Sequence, residues 1–464
     1  MDGSTIQWGK VSRIAVTLDA IGLITFCYKL IQARLLFYRL RKKGLPTPPW
    51  NPVLGNSSAL AALQKKGPSD LPGGGGGKLF AYYAVETKGL GAGFYVNPML
   101  CVTSPTMAVE ACQTHDLPKP MALQSINSMA GGSYNIDLFS NIFNISASPG
   151  HIKCILEEAN VYVQILRSHS DKGDALLLDP LTCAYARLLQ QLRDAIEQQV
   201  GIETDGKQCS MNDHIGVKLE KCFQNWKHSN QLSQPSSRPR SIIDIILAEY
   251  MKTRPNAQKQ THLDPKFKKW ATVQTRLFLF VGHDSEAATI IYSIFLLSKN
   301  PDALAKVHME HETVFGSDVS AYDELMEHPE NINQLPYTYA VIKEILRLYP
   351  PANGLRGGQT GVSLHDEHGR SFPTEGVNIW IIHTAVQRNP AFCPKPHDFI
   401  PERWLVEKDH PLYPPAGGWR RFEHGARQCI GQNISLMDIK ASLVMVLRQS
   451  DFYDAYAEYD ALNP

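Results

Sequence analysis

The chain has 464 residues, of which 43% are hydrophobic and 20% charged, and its formal net charge is +1. That length supports a sizeable core and leaves one to three domains open. The composition excludes wholesale disorder and a multi-span membrane protein, and the near-neutral balance excludes steering of the whole molecule toward nucleic acid.

Residues 14–28 are largely apolar, and the apolar character resumes through Leu30, Ile31, Leu35 and Leu36. Asp19 within this stretch would cost about 2.5 to 3.5 kcal/mol at a bilayer centre. Two readings therefore stand: a single membrane-spanning anchor, or an amphipathic helix lying on a membrane or on the rest of the protein. The basic run Arg39, Arg41, Lys42 and Lys43 favours a cytosolic position for the residues C-terminal to it, and no small-residue site marks a cleaved signal peptide. Pro46, Pro48, Pro49 and Pro52 then impose a stiff, extended spacer. The run Gly73–Gly77 before Lys78 is not a phosphate-binding loop, because Pro72 and Leu79 stand where that loop needs glycine and a hydroxyl residue; it reads as a surface loop.

The polar, breaker-rich segment from Gly201 to Arg240 reads as a long mobile connection between two helical regions. Beyond it, Ser241 is placed to cap a helix with Ile242, Ile245, Ile246 and Tyr250 on its apolar face and Asp244 in a capping-box variant. Helices dominate from there to Pro350. The apolar stretch from Leu277 to Leu297 is long enough to cross a membrane, but Gly282-His283-Asp284-Ser285-Glu286 at its centre would be rejected by hydrocarbon. It reads as a long helix buried in protein, with polar groups at the glycine free to face a ligand or water, or as a solvated polar turn.

Glu344 and Arg347, three apart, project from one face of a helix that also carries Ile345, Leu346 and Leu348. Exposed, such a pair contributes under about 1 kcal/mol; buried, it needs further hydrogen bonds, which Arg403 in Pro401-Glu402-Arg403-Trp404 could supply.

The nine cysteines are scattered, odd in number and never spaced C-x-x-C, which argues for reduced thiols rather than a disulfide framework or a four-ligand zinc site. One of them, Cys429, lies in Phe422-Glu423-His424-Gly425-Ala426-Arg427-Gln428-Cys429-Ile430-Gly431, just before an apolar helical stretch from Gln432 to Leu447. Gly425 and Gly431 permit a tight turn, and the start of a helix favours a thiolate. By chemistry alone Cys429 could be a nucleophile, a metal ligand or an inert core thiol.

Taken together these motifs resemble the cytochrome P450 family of haem-thiolate monooxygenases. The pattern F-x-x-G-x-R-x-C-x-G is complete at Phe422, Gly425, Arg427, Cys429 and Gly431; Glu344 and Arg347 match the E-x-x-R helix, Arg403 its arginine partner, and Gly282, Asp284 and Ser285 the oxygen-activating helix. The resemblance implies a mainly α fold with small β-sheets: an anchor and basic flank at 1–45, a hinge at 46–56 and one large catalytic domain at 57–464. It implies haem b with Cys429 as axial ligand, because an anionic sulfur favours O–O cleavage. Phe422 would shield the sulfur, Arg427 and Arg356 would pair with haem propionates, Glu344, Arg347 and Arg403 would form a structural triad, and Asp284 and Ser285 would relay protons.

The expected reaction inserts one oxygen atom from O2 into a small organic substrate, with electrons from NADPH passing through a separate cytochrome P450 reductase. The resemblance also implies anchoring in the endoplasmic reticulum membrane, no nucleic-acid partner, and a likeness to fungal microsomal members of secondary metabolism. Two other readings compete: a haem-thiolate isomerase or dehydratase that needs no reductase, and a shortened, inactive haem-binding or partner-binding protein. The second is motivated by the stretch between Met121 and Ile152, which looks shortened and, like residues 51–225, holds no Trp.

Overall fold

The structure, a computed structural model, describes residues 99–120, 149–172, 209–228, 242–317 and 320–453 apart from a few positions, with a strand at 90–91 and parts of an N-terminal helix between 20 and 42. The proline-rich spacer, the Gly73–Gly77 run, the stretch 121–148 and Ser241 lie outside the described residues. The architecture is mainly α with two small sheets. Its helices are α1 (Pro105–Val109), α2 (Pro149–Ser170), α3 (Cys209–His228), α4 (Ile242–Thr253), α5 (Pro265–Lys299), α6 (Pro301–Phe315), α7 (Ala321–Glu327), α8 (Pro336–Leu348), α9 (His383–Gln387) and α10 (Gln432–Leu447).

Helix α10 is the hub. Ala441 to Leu447 are all buried, so apolar side chains point in every direction, as a helix enclosed by protein requires. It packs on α2, α5 and α8, and Val444 and Val446 share one core with Leu156, Val163, Ile290, Ile294, Val341 and Ile345. Each such side chain contributes about 1.5 to 3 kcal/mol through burial.

Helix α5 runs for 35 residues without a break at Gly282. Its start is set by Asp264, whose carboxylate accepts the Phe267 N–H at 2.9 Å, and by Pro265, which needs no intrahelical donor. Pro301 forbids its continuation and opens α6 instead.

The segment from Gly201 to Arg240 is not simply the mobile connection that its polarity suggests, because α3 occupies 20 residues of it. Ile215, Leu219 and Phe223 recur every fourth residue and are buried against Ile243, Ile246, Leu247 and Tyr250 of α4 and Ala271 of α5. Lys218, Glu220 and Lys221 lie between them and conceal the stripe in composition.

The main sheet contains β1 (Leu90–Gly91), β2 (Met99–Val102), β3 (Gly354–Gly357) and β6 (Asn378–Ile381) in the order β1-β2-β6-β3. Strands β2 and β6 are parallel, with Leu100 opposite Ile379, and β3 is antiparallel to β6, with Arg356 opposite Ile379. A separate hairpin joins β4 (Ser363–His365) to β5 (Ser371–Pro373). Alternate side chains of β2 and β6 bury against Met107 and Ala108 of α1, which carries the sheet to one side of the helical core.

The N-terminal helical residues expose Ile21, Leu23, Ile24, Phe26, Tyr28, Ile31, Leu35 and Tyr38, whereas Leu36 packs against the sheet core. Among the described residues no helix is long and apolar enough to cross a membrane.

Candidate functional site

The loop leading into α10 closes on itself. Cys429 N–H donates to the Phe422 carbonyl at 2.8 Å and Gln428 N–H to that of Gly425 at 3.1 Å. Gly425 has φ +82°, and a Cβ there would lie 2.5 Å from the Cys112 carbonyl oxygen, so both conformation and space demand glycine. Phe422 is buried and meets Trp419 edge to face at 6.0 Å. Cys429 is open to solvent on one side and packed on the other. Burial raises its thiol pKa, while the Gly431 N–H bonded to its sulfur and the charge of Arg421 act to lower it, against a nearby Glu286.

The loop is held from behind by Glu423, a non-glycine residue at φ 56°. Its carboxylate lies 2.6 Å from His383 Nε2 and accepts a bond from Arg420 Nη2 at 2.5 Å. Burial alone would raise the Glu423 pKa; His383 and Arg420 more than reverse that and hold it well below the usual carboxylate range. Left-handed backbone costs about 1 to 2 kcal/mol, which these two charge-assisted bonds offset.

Beside the loop, Arg356 on β3 is 1% exposed, and its Nε and Nη2 atoms have no partner. Lys119 lies close enough that its pKa is lowered first by burial and then by Arg356 and Arg427. Gly357 N–H, bonded to the Pro118 carbonyl at 2.6 Å, ties the Lys119 segment to the strand. Arg427 has Asp116 at 3.5 Å. Three cations thus converge beside the cysteine turn. Lys119 escapes a reading of sequence because it sits in a short loop with no motif around it; its only mark is the flanking pair Pro118 and Pro120.

Glu344, Arg347 and Arg403 are brought together and are all buried. Arg347 donates from Nε and Nη2 to the two oxygens of Glu344 at 2.9 and 2.8 Å, and Arg403 Nε donates to Glu344 Oε1 at 3.1 Å. Ile400 N–H and Trp404 Nε1–H, each at 3.0 Å, complete the coordination of the carboxylate. The arginines spend their remaining N–H groups on the carbonyls of Gln387, Pro394, Lys395, Pro396, Asp398 and Leu412. This is a buried ion cluster with its polar groups satisfied, the condition under which such a cluster is tolerated.

On α5, Asp284 is exposed and Ser285 partly buried, with Ser285 Oγ 3.4 Å from the Gly282 carbonyl. Two residues on, Glu286 is buried and accepts a 2.7 Å bond from Ser435 Oγ on α10. Burial pushes its pKa up to about 7. Asp438 on α10 is also buried, has an Oδ1 without a partner, and is pushed well above the carboxylate range by burial and then by Glu286. An acid within each of two apolar helices is the sequence signal that could have exposed this pair.

A family model described as Cytochrome P450 matches residues 204–453. The cytochrome P450 monooxygenase polC of Polytolypa hystricis is 30% identical over 98% of this chain and 90% of its own length. The chain belongs to the cytochrome P450 family. Similarity extends to the cytochrome P450 monooxygenase acrF of Aspergillus aculeatus, 28% identical over 83% of this chain and 87% of that protein. Human cytochrome P450 4V2 is 33% identical over 47% of this chain and 38% of its own length.

This P450 is a haem-thiolate monooxygenase, with haem b as cofactor and a cysteine as axial ligand, and it acts on organic substrates with a redox-partner reductase. The residues present fit that group. A buried guanidinium with two unpartnered nitrogens, next to a lysine that repels it, calls for an anion, and the haem propionates carry that charge. A cysteine open on one side, with an N–H and a cation favouring its thiolate, suits iron ligation.

Proposed function

We propose that Cys429 is the axial thiolate and that the protein inserts one oxygen atom from O2 into a small organic substrate, in fungal secondary metabolism. The observation that carries the reading is the Phe422–Gly431 turn, which leaves one sulfur open on one side and carries Arg427 toward Lys119, itself beside the orphaned guanidinium of Arg356. Bound haem supplies activation of dioxygen.

The chain's own side chains supply the rest. Phe422 excludes water from the buried side of the sulfur, and Gly425 and Gly431 allow the turn, with Gly431 N–H donating to the sulfur. Arg356, Arg427 and Lys119 would hold the haem propionates by charge-assisted bonds. Glu344, Arg347 and Arg403 fix the backbone of residues 387–412 beneath the loop. Asp284, exposed on α5, exchanges a proton with solvent, and Ser285 Oγ beside it relays that proton.

NADPH is the electron source, through a separate cytochrome P450 reductase. Residues 1–45 anchor the protein at the endoplasmic reticulum membrane, 46–56 act as a hinge, and 57–464 form the cytosolic catalytic domain. The exposed row from Ile21 to Tyr38 supports contact with lipid along this helix.

The test is a reduced, carbon-monoxide difference spectrum of the purified protein and of Cys429→Ser. A thiolate-type Soret band in the first and its loss in the second is the expected result; absence of haem from the wild-type protein would sink the reading. Product formation that persists without NADPH would favour an isomerase or dehydratase instead.

A further inference from the structure

The cysteine loop contains a further buried cation, Arg421, packed over the Phe422 ring. Arg421 precedes Phe422, the residue whose carbonyl receives the Cys429 N–H at 2.8 Å. Its side chain is 8% exposed, its Nε has no partner, and its guanidinium carbon lies 5.3 Å from the centroid of the Phe422 ring. Lys119 feels the charges of Arg356 and Arg427 at the edge of the site. The charge of Arg421 instead acts on Cys429, and that of Cys429 on Arg421.

Burial lowers the Arg421 pKa to about 10, which still leaves the group protonated throughout the neutral range. It is therefore a constant charge rather than a switch. A guanidinium packed on an aromatic face and shielded from water acts through a low local dielectric, where its field is felt more strongly than at a surface.

We propose that Arg421 is a positioning residue that acts through the Cys429 sulfur, its fixed positive charge raising the reduction potential of the haem iron. The inference rests on the reading of Cys429 as axial ligand. Sulfur donates electron density to iron; a cation beside the sulfur draws part of that density back and stabilises the site more in its ferrous state, which carries one more negative charge. Glu286 opposes it from α5, so the potential reflects the balance of the two.

The experiment is a spectroelectrochemical titration of the full-length, haem-loaded protein, of Arg421→Met and of Arg421→Lys. Methionine keeps bulk and removes charge; lysine keeps charge and gives up the planar stack on Phe422. At a fixed solution potential, Arg421→Met is expected to lower the ferrous-to-ferric ratio about tenfold, which for one electron is 59 mV, and Arg421→Lys to stay within about threefold of wild type. An unchanged ratio in Arg421→Met would overturn the proposal, as would an equal fall in both variants, which would assign the effect to packing. Failure of Arg421→Met to take up haem, alone or together with Arg421→Lys, would assign Arg421 to haem retention rather than to the potential and overturn it too. The Cys429→Ser spectrum separates the two levels: without a thiolate-type wild-type spectrum the ligand reading itself falls, whereas a normal spectrum with an unmoved potential defeats only the role of Arg421.

Discussion

Gln387 Oε1 accepts the backbone N–H of Arg420 at 2.9 Å, a contact that ties α9 to the cysteine loop. The same side chain donates from Nε2 to the Leu346 and Arg347 carbonyls at 3.1 and 3.0 Å, two acceptors that the end of α8 leaves without helical partners. One buried amide thus satisfies three backbone groups from two distant segments. Gln387→Leu should strand all three and lower stability by about 3 kcal/mol, with a matching loss of haem retention. Urea unfolding of the variant, followed by fluorescence and by Soret absorbance, checks both effects.

The Glu344 carboxylate holds two buried arginines at once. Glu344→Ala would leave both charges uncompensated and should cost about 3 to 5 kcal/mol, enough to prevent accumulation of folded protein. Lys306 and Glu402 also form a short ion pair, at 2.6 Å, but with half-exposed side chains. Lys306→Ala should cost under about 1 kcal/mol. Soluble yield and unfolding midpoints of the two variants, measured side by side, test whether burial rather than distance sets the cost.

Glu286 has a folded-state pKa pushed up to about 7 from an ordinary 4.5. Because the folded value lies above the unfolded one, its contribution to stability is complete below about pH 4.5 and is lost as pH rises through 7. Asp438, shifted in the same direction by burial and by Glu286, adds to that loss. Glu286→Gln keeps an acceptor for Ser435 and cannot ionise. It should flatten the decline in stability between pH 5 and pH 8, which denaturant midpoints at the two pH values would register; an unaltered slope would assign the decline to other groups.

Gly425 and Gly369 both have positive φ, +82° and +72°, but only Gly425 faces a backbone oxygen at 2.5 Å, while nothing lies within 4 Å of the Cβ position at Gly369. Gly425→Ala should therefore displace the cysteine turn and abolish the thiolate-type spectrum. Gly369→Ala should cost only the conformational strain, about 1 to 2 kcal/mol, and leave the spectrum intact. Haem stoichiometry of the two purified variants distinguishes them.

The features legible in the residues alone are local. Ten residues contain the turn around Cys429, because glycine freedom and the start of a helix act over a few bonds. Helical periodicity likewise puts Glu344 and Arg347 on one face whatever surrounds them. Which groups they meet is set by the folding of distant segments onto one another. It brings Arg403 to Glu344 across 59 positions, Glu286 to Ser435 across 149, and Lys119 to Arg356 through a loop that carries no motif. Helix α3 was hidden for the same reason, since its stripe of Ile215, Leu219 and Phe223 becomes decisive only once α4 and α5 offer a surface to bury it. Periodicity marks which face of an element will be covered, but not by what; long-range pairings are chosen by the packing and desolvation of the whole core.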